Sequence, residues 1–456
     1  MKLLLPGSLL GVSLLAATLL NGAGPYLKRI GAIETDKYEA YWAIHCGDVG
    51  TTREPFGLGR RCSAPNKGAS PRDVYAYERP YRRHVHETTD YELALKLPKD
   101  LLMAALAGLF LFEGVRNGGL RGVSRTPWPA TALLGLVAAS ALVTGLRQGP
   151  WPVAAGLRSF TCVAIGVFGA LVRPYRLDQV AGALAVLLFG QLALGAPELL
   201  YGMPLYGHLP ILMLPERLAG TLVLPNSLGV FVVAALAFIV AFGRDRRLLP
   251  GLFMTTLVLV LAAGSASGLL ALLALTGTLA VQRVAPSWRA SVSVGLVVLL
   301  LLLVAALPAV LSRPDVFDSI LSPTGRLARL KEGLATPWLQ RLVGSGIGEG
   351  TNTSINLAGR VPSMEGEANA ELPQSDSTVT LLVRQIGILG AALFYGSLAW
   401  AWGQDRRARP FYLVIGLTSL TMNVTELFPV NALLGLALAQ SLSASQRWAG
   451  STPRAH

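Results

Sequence analysis

The sequence predicts an all-α, polytopic membrane protein of about twelve transmembrane helices, and three observations carry that prediction. About half of the residues are hydrophobic and only 14% are charged, a composition far from that of a soluble domain. Apolar runs near 20 residues recur along most of the chain, the length a helix needs to cross a bilayer. The run GLVVLLLLLVAALPAVL at 295–311 is continuously apolar, whereas a porin-like barrel shows alternating segments of about ten residues. The formal net charge of +13 does not point to nucleic acid. The Lys and Arg are scattered between apolar runs and form no aromatic-interleaved patch.

Residues 1–23 read as a first transmembrane helix. Their apolar run is longer than a usual signal-peptide core, and no clear A-x-A site follows it. Residues 24–99 are polar, with Tyr, Arg, His and Pro, and are too long for a simple connection, so they predict a small extracytoplasmic subdomain. Apolar runs then follow at 101–115, 128–146, 152–172, 179–196, 225–242, 249–264, 268–281 and 290–311. A second long polar segment, 312–377, precedes the runs 379–402, 411–427 and 430–443. The centre of 249–281, GSASG at 264–268, reads as a tight turn between two short helices.

Short cytoplasmic loops collect Lys and Arg, which tests this assignment. Arg116, Arg121 and Arg125, then Arg173 and Arg176, then Arg244, Arg246 and Arg247, then Arg283 and Arg289, then Arg406, Arg407 and Arg409 all fall on one side. The opposite short connections hold little beyond Arg147 and Arg217. Both termini are therefore expected in the cytoplasm, and the loops 24–99 and 312–377 outside. No repeat of 20–50 residues interrupts the pattern, so residues 1–456 read as one membrane domain with two outer loops. Cys46 and Cys62 share the first loop and are a disulfide candidate if it faces an oxidising compartment; Cys162 lies in an apolar run. No CxxC or HExxH spacing occurs, and no metal or cofactor is expected.

The loop 312–377 carries Arg326, Arg329, Glu349, Glu365, Glu367, Glu371 and Asp376 between hydrophobic spans, and is the expected active face. On a helix beginning near Thr324, Arg326 and Arg329 share one face. They make either an anion clamp or, with Lys331, a lipid-binding interfacial helix. The ladder GSGIGEG at 344–350 lacks the GKS or GKT ending of a phosphate-binding loop and reads as a flexible, shaping turn. Asp376, at the junction of loop and helix, is either a proton acceptor or, with Ser375 and Ser377, one of three candidate N-caps. The glutamates, Glu367 among them, read first as solvated loop charges.

Three more arginines stand out. Arg217, on the arginine-poor side, either binds phosphate bidentately or snorkels. Arg158, near the outer end of its helix, faces a cavity, a headgroup or a partner carboxylate, with snorkelling the default. Arg384 lies about two turns into its helix, a depth that favours a paired or functional role.

Taken together these segments resemble the O-antigen ligase and polymerase superfamily. ERLAGTLVLPNSLGVF resembles its R-x-x-G-T-x-x-x-P-N signature at Arg217, Gly220, Thr221, Pro225 and Asn226. SPTGRLARLKEGL followed by LVGSGIG is similar to its S-x-x-G-R segment and glycine turn. DSTVTLLVRQIGILGAALFY is similar to the helix after its large outer loop, with Gly387 and Gly390 in place. The resemblance implies a GT-C-like membrane fold and metal-independent, inverting glycosyl transfer at the periplasmic face of the bacterial inner membrane. The implied donor is an undecaprenyl-diphosphate-linked glycan.

By that resemblance Arg217 and Arg326 hold the donor's diphosphate, and Arg158, Arg329, Arg384, Asn226 and Glu367 are supporting substrate contacts. Asp376 stands where ligases have His, which favours a polymerase with a carboxylate base, and Gly264 to Gly268 lacks the Arg often found at that turn. The alternatives are a ligase passing the glycan to a lipid A-core or other acceptor, and a flippase of lipid-linked glycan. The loop 24–99 is a candidate contact for acceptor, chain-length regulator or export machinery.

Overall fold

The computed structural model describes residues 7–29, 51–53, 60–62, 90–123, 126–172, 176–201, 218–222, 224–284, 330–331, 334–349 and 377–450, with the single residues 287 and 351. In chain order the elements are α1 (Gly7–Arg29), a hairpin of β1 (Thr51–Arg53) and β2 (Arg60–Cys62), α2 (Asp90–Val123), α3 (Trp128–Gln148) and α4 (Pro150–Ala170). Then follow α5 (Leu177–Tyr201), α6 (Pro225–Phe242), α7 (Leu249–Ala262), α8 (Ala266–Arg283), the short α9 (Trp338–Val343), α10 (Thr378–Gln404), α11 (Arg409–Thr421) and α12 (Val430–Gly450). Among the described residues the small antiparallel hairpin, pairing Thr51 with Cys62, departs from an otherwise helical fold.

Local sequence explains where these helices begin and end. α3, α4, α6, α7 and α11 all open with Pro in the first turn, where its missing N–H is not needed and its φ is already helical. Gly149 alone joins α3 to α4, and its φ of 89° is available to glycine without a Cβ clash. The turn expected at 264–268 is present: Gly264 has φ 54°, and Ser265 caps α8 by accepting from Gly268 N.

The most apolar helix is central. α6 has a mean hydropathy of 2.1 and is 89% buried, whereas α3 is only 28% buried. A helix apolar all round belongs inside a bundle or in lipid; α6 packs against α5, α7, α8, α11 and α12. Small residues let α4 and α12 approach closely. A Cβ on Gly166 would stand 2.8 Å from that of Leu438, and one on Gly435 2.9 Å from that of Ile165.

Six described helices are long and apolar enough to cross a membrane, and three shorter apolar ones, Leu249–Ala262, Ala266–Gln282 and Val430–Ser443, accompany them. The expected run 290–311 lies outside the described residues. Among the boundaries that differ from expectation, three bear on the site. α2 begins at Asp90, so the end of the 24–99 loop is helical. α5 continues through Pro197 to Tyr201. α11 stops at Thr421, because the segment 422–429, read as the end of an apolar span, contains Asn423, Thr425 and Glu426, whose side chains are engaged in hydrogen bonds there.

Helix directions define two ends. At one, Gly7 packs on Arg176 and Gly114 on Leu171, Asp178 pairs with Arg244, and Asp405 accepts from Ser441. This arginine end carries Arg116, Arg176, Arg244, Arg246, Arg247, Arg406, Arg407 and Arg409, all of them members of the predicted arginine side. The opposite, cluster end carries Asn21, Lys99, Thr144, Glu198, Ser265, Ser377 and Glu426, held by the contacts described next.

Candidate functional site

The glycine ladder is the centre of the cluster end, and it is packed, which corrects the expectation of a flexible turn. Gly344, Gly346 and Gly348 have φ of 86°, 136° and 102°, all in the region that favours glycine. Ile347 between them is fully buried, and a side chain at Gly156 of α4 would collide with it. Ile347 N donates to Thr144 Oγ1 of α3 at 3.0 Å, and Gly348 lies against the Pro152 backbone.

On its other side the ladder meets a break in α10. Gly387, with φ 71°, interrupts the helix where Leu342 and Val343 of α9 press on it. Ser345 N donates to Arg384 O at 2.7 Å, satisfying a carbonyl beside the interruption. Gln385 is fully buried; its Nε2 donates to Glu349 O at 3.1 Å, and its Oε1 has no partner among the described residues. Ser377 caps α10, accepting from Thr380 N at 3.2 Å. The cap among the three candidates is therefore Ser377, and Asp376 immediately precedes it.

A second polar device holds the turn after Arg217. Glu198, buried near the end of α5, accepts from Ala219 N at 2.9 Å and Gly220 N at 2.7 Å. Gln191, two turns back on the same face of α5, donates Nε2 to Thr221 Oγ1 at 2.5 Å and accepts from Thr221 N at 3.0 Å. Gly220 has φ 56°. Thus the Gly-Thr pair of the motif is a backbone turn clasped by two side chains from one helix. Asn226 follows on the first turn of α6, half-buried.

The third device is a charged cluster from four elements. Arg158 of α4 binds Asp100 of α2, Nε to Oδ1 at 2.8 Å, which resolves the readings of Arg158 in favour of a partner carboxylate over snorkelling. Next to Asp100, Lys99 is 8% exposed and donates to Asn21 Oδ1 of α1 at 2.6 Å. Glu426 accepts from Ser159 Oγ and Asn423 Nδ2, both at 2.9 Å. Lys99 precedes the apolar run 101–115. Burial, reinforced by the Arg158 guanidinium and opposed by Asp100 and Glu426, pushes its pKa down to about 7. The network ties α1, α2, α4 and the 422–429 loop together.

Of the predicted site residues, Arg158, Arg384 and Asn226 are among the described ones, and Arg158 and Arg384 lie at this end. Arg217, Arg326, Arg329, Glu367 and Asp376 lie outside the described residues, as does Cys46 of the disulfide candidate. Lys99, Asp100, Glu198, Gln191, Asn423 and Glu426 were missed. Gln191, Glu198 and Glu426 each carried a usable signal, a polar side chain within or bordering an apolar run. Among the described residues no three His, Cys, Asp or Glu side chains gather as around a metal ion. Compared with known proteins, the chain matches no family model, and no curated protein is significantly similar to it.

Proposed function

We propose that this protein is a polysaccharide polymerase of the bacterial inner membrane, joining glycan repeat units carried on undecaprenyl diphosphate at the periplasmic face. One observation supports the reading above others. The turn clasped by Glu198 and Gln191, the ladder 344–349 and the capped, broken start of α10 stand at the same end of the bundle, away from the arginine belt. These are the segments that carry the sequence resemblance. An arginine belt marks the cytoplasmic side in the general rule, so the cluster end becomes the outer one.

In the proposed reaction the acceptor sugar hydroxyl attacks the donor's anomeric carbon as the bond from that carbon to the diphosphate oxygen breaks. Asp376 takes the hydroxyl proton. Arg217 and Arg326 offset the charge that grows on the departing diphosphate, with Arg158, Arg329, Arg384, Asn226 and Glu367 in supporting contact. The lipid carrier enters from the bilayer. Surface glycan from a strain lacking the gene, complemented with wild type, Arg326→Ala or Asp376→Asn, tests this on gels. The expected result is long polymer only with wild type. Long but unattached polymer in the null strain replaces the reading with a ligase, trapping of repeat units in the cytoplasmic leaflet replaces it with a flippase, and unchanged glycan in both variants reduces the protein to a scaffold.

A further inference from the structure

Helix α9 presents apolar surface that the bundle does not use. None of its six residues, WLQRLV, is buried, and Trp338, Leu339 and Leu342 are 73%, 54% and 43% exposed. At about 100° per residue, Trp338, Leu342, Leu339 and Val343 fall on one side of the helix and Gln340 and Arg341 on the other. The face is organised as well as exposed.

The ladder that follows α9 sets its level. Ile347 is bonded to Thr144, near the end of α3, and Gly348 rests on Pro152, at the start of α4. α9 itself packs on α10 at Gly387, beside the exposed Ile388 (42%) and Leu389 (41%), side chains of a helix long and apolar enough to cross a bilayer. Where the ladder meets α3 and α4 the bundle also exposes Leu142, Leu146 and Trp151. α9, itself too short to span, thus presents its apolar side chains next to those of a span. Trp and Arg on such a segment are the side chains enriched where apolar tails meet headgroups.

We propose that α9 lies in the headgroup–acyl boundary of the phospholipid bilayer, with Trp338, Leu339 and Leu342 among the acyl chains and Gln340 and Arg341 at headgroup level. The exposed apolar surface next to α9 belongs to a helix long and apolar enough to span, which selects lipid over a protein partner. Leu342 and Val343 press on the Gly387 break and lead directly into the ladder, so the membrane surface holds the break in α10 in place. A lipid-carried ligand then reaches the cluster end sideways, along α9. The placement of α9 itself does not depend on the transferase reading.

The test uses the full chain in phosphatidylcholine nanodiscs, with and without acyl chains brominated near the glycerol. Subtracting Trp338→Phe fluorescence from wild type isolates Trp338, whose exposure makes the substitution benign. The expected result is at least a twofold loss of the Trp338 signal in brominated lipid and little loss with aqueous iodide. Quenching by iodide alone overturns the proposal in favour of a water-facing helix. Quenching by neither overturns it in favour of a protein cover, including a second copy of the chain. A spin label at Leu339→Cys, in a background with the native cysteines replaced, gives the same distinction through its relative accessibility to oxygen and to a water-soluble nickel complex.

Discussion

At the arginine end, Arg244 reaches Asp178 at 3.1 Å with 75% of its side chain exposed; at the cluster end, Arg158 reaches Asp100 at 2.8 Å with 24% exposed. The first pair lies on a rim where most cations, Arg246, Arg247, Arg406 and Arg407 among them, stand in the open. The second belongs to a network in which Lys99, Asn21, Ser159, Asn423 and Glu426 all find partners. Charge at one end meets solvent and headgroups, and charge at the other fastens helices together. Substitutions should therefore act through different physics at the two ends.

The largest contrast concerns backbone fit. Gly348→Val forces a β-branched residue to φ 102° and drives its Cβ into the Pro152 backbone, a loss expected to be at least about 3 kcal/mol. Arg406→Ala, exposed at the far end, is expected within about 0.5 kcal/mol of wild type. Thermal unfolding in detergent compares them. Equal stability would mean that the ladder does not tie α3, α4 and α10 together.

Next is the pH dependence of Lys99. Its folded pKa, about 7, lies below the ordinary value of 10.5, so between those limits the unfolded chain binds a proton that the folded chain does not. Stability then rises with pH across this window, by up to about 1.4 kcal/mol per pH unit, and is independent of this group below about 7. Lys99→Met removes the slope, measured as the melting temperature of wild type minus variant between pH 7 and 10. A parallel pair of curves would place Lys99 in solvent.

A smaller effect is expected for the Arg158–Asp100 pair itself. A double-mutant cycle with Arg158→Met and Asp100→Asn should give a coupling of about 1 kcal/mol, since Asp100 is 39% exposed and water screens part of the attraction. No measurable coupling would make the network a set of independent contacts.

How much of this was legible in the sequence follows the same division. The six described spans and the arginine side could be read because they depend on runs of one chain: α6 is apolar at every position from Leu228 to Phe242, and the arginines cluster near helix ends. The GSASG turn was readable for the same local reason. The network at the cluster end was not, because its partners are far apart in sequence. Lys99 meets Asn21, Ser159 meets Glu426, and Ile347 meets Thr144. Glu426 was hidden in a stretch whose average hydropathy resembles a span, although Asn423 and Pro429 beside it argued for a turn. The ladder's glycines were visible as a turn, but the surfaces that require them, at Gly156, Pro152 and Gln385, belong to other helices.

The smallest expected effect is the most direct check on the contrast between the ends. Asp178 lies between Arg244 at 3.1 Å and Arg176 at 3.3 Å. The two guanidinium groups are nevertheless 75% and 61% exposed, so salt screens them and side-chain entropy offsets part of the attraction. A cycle with Arg244→Ala and Asp178→Asn should therefore yield under about 0.5 kcal/mol of coupling, falling toward zero at high ionic strength. The Arg158–Asp100 coupling should change less with salt, because its arginine is mostly shielded. A coupling at Arg244 as large and as insensitive to salt as that at Arg158 would erase the distinction between an open rim and a fastened cluster.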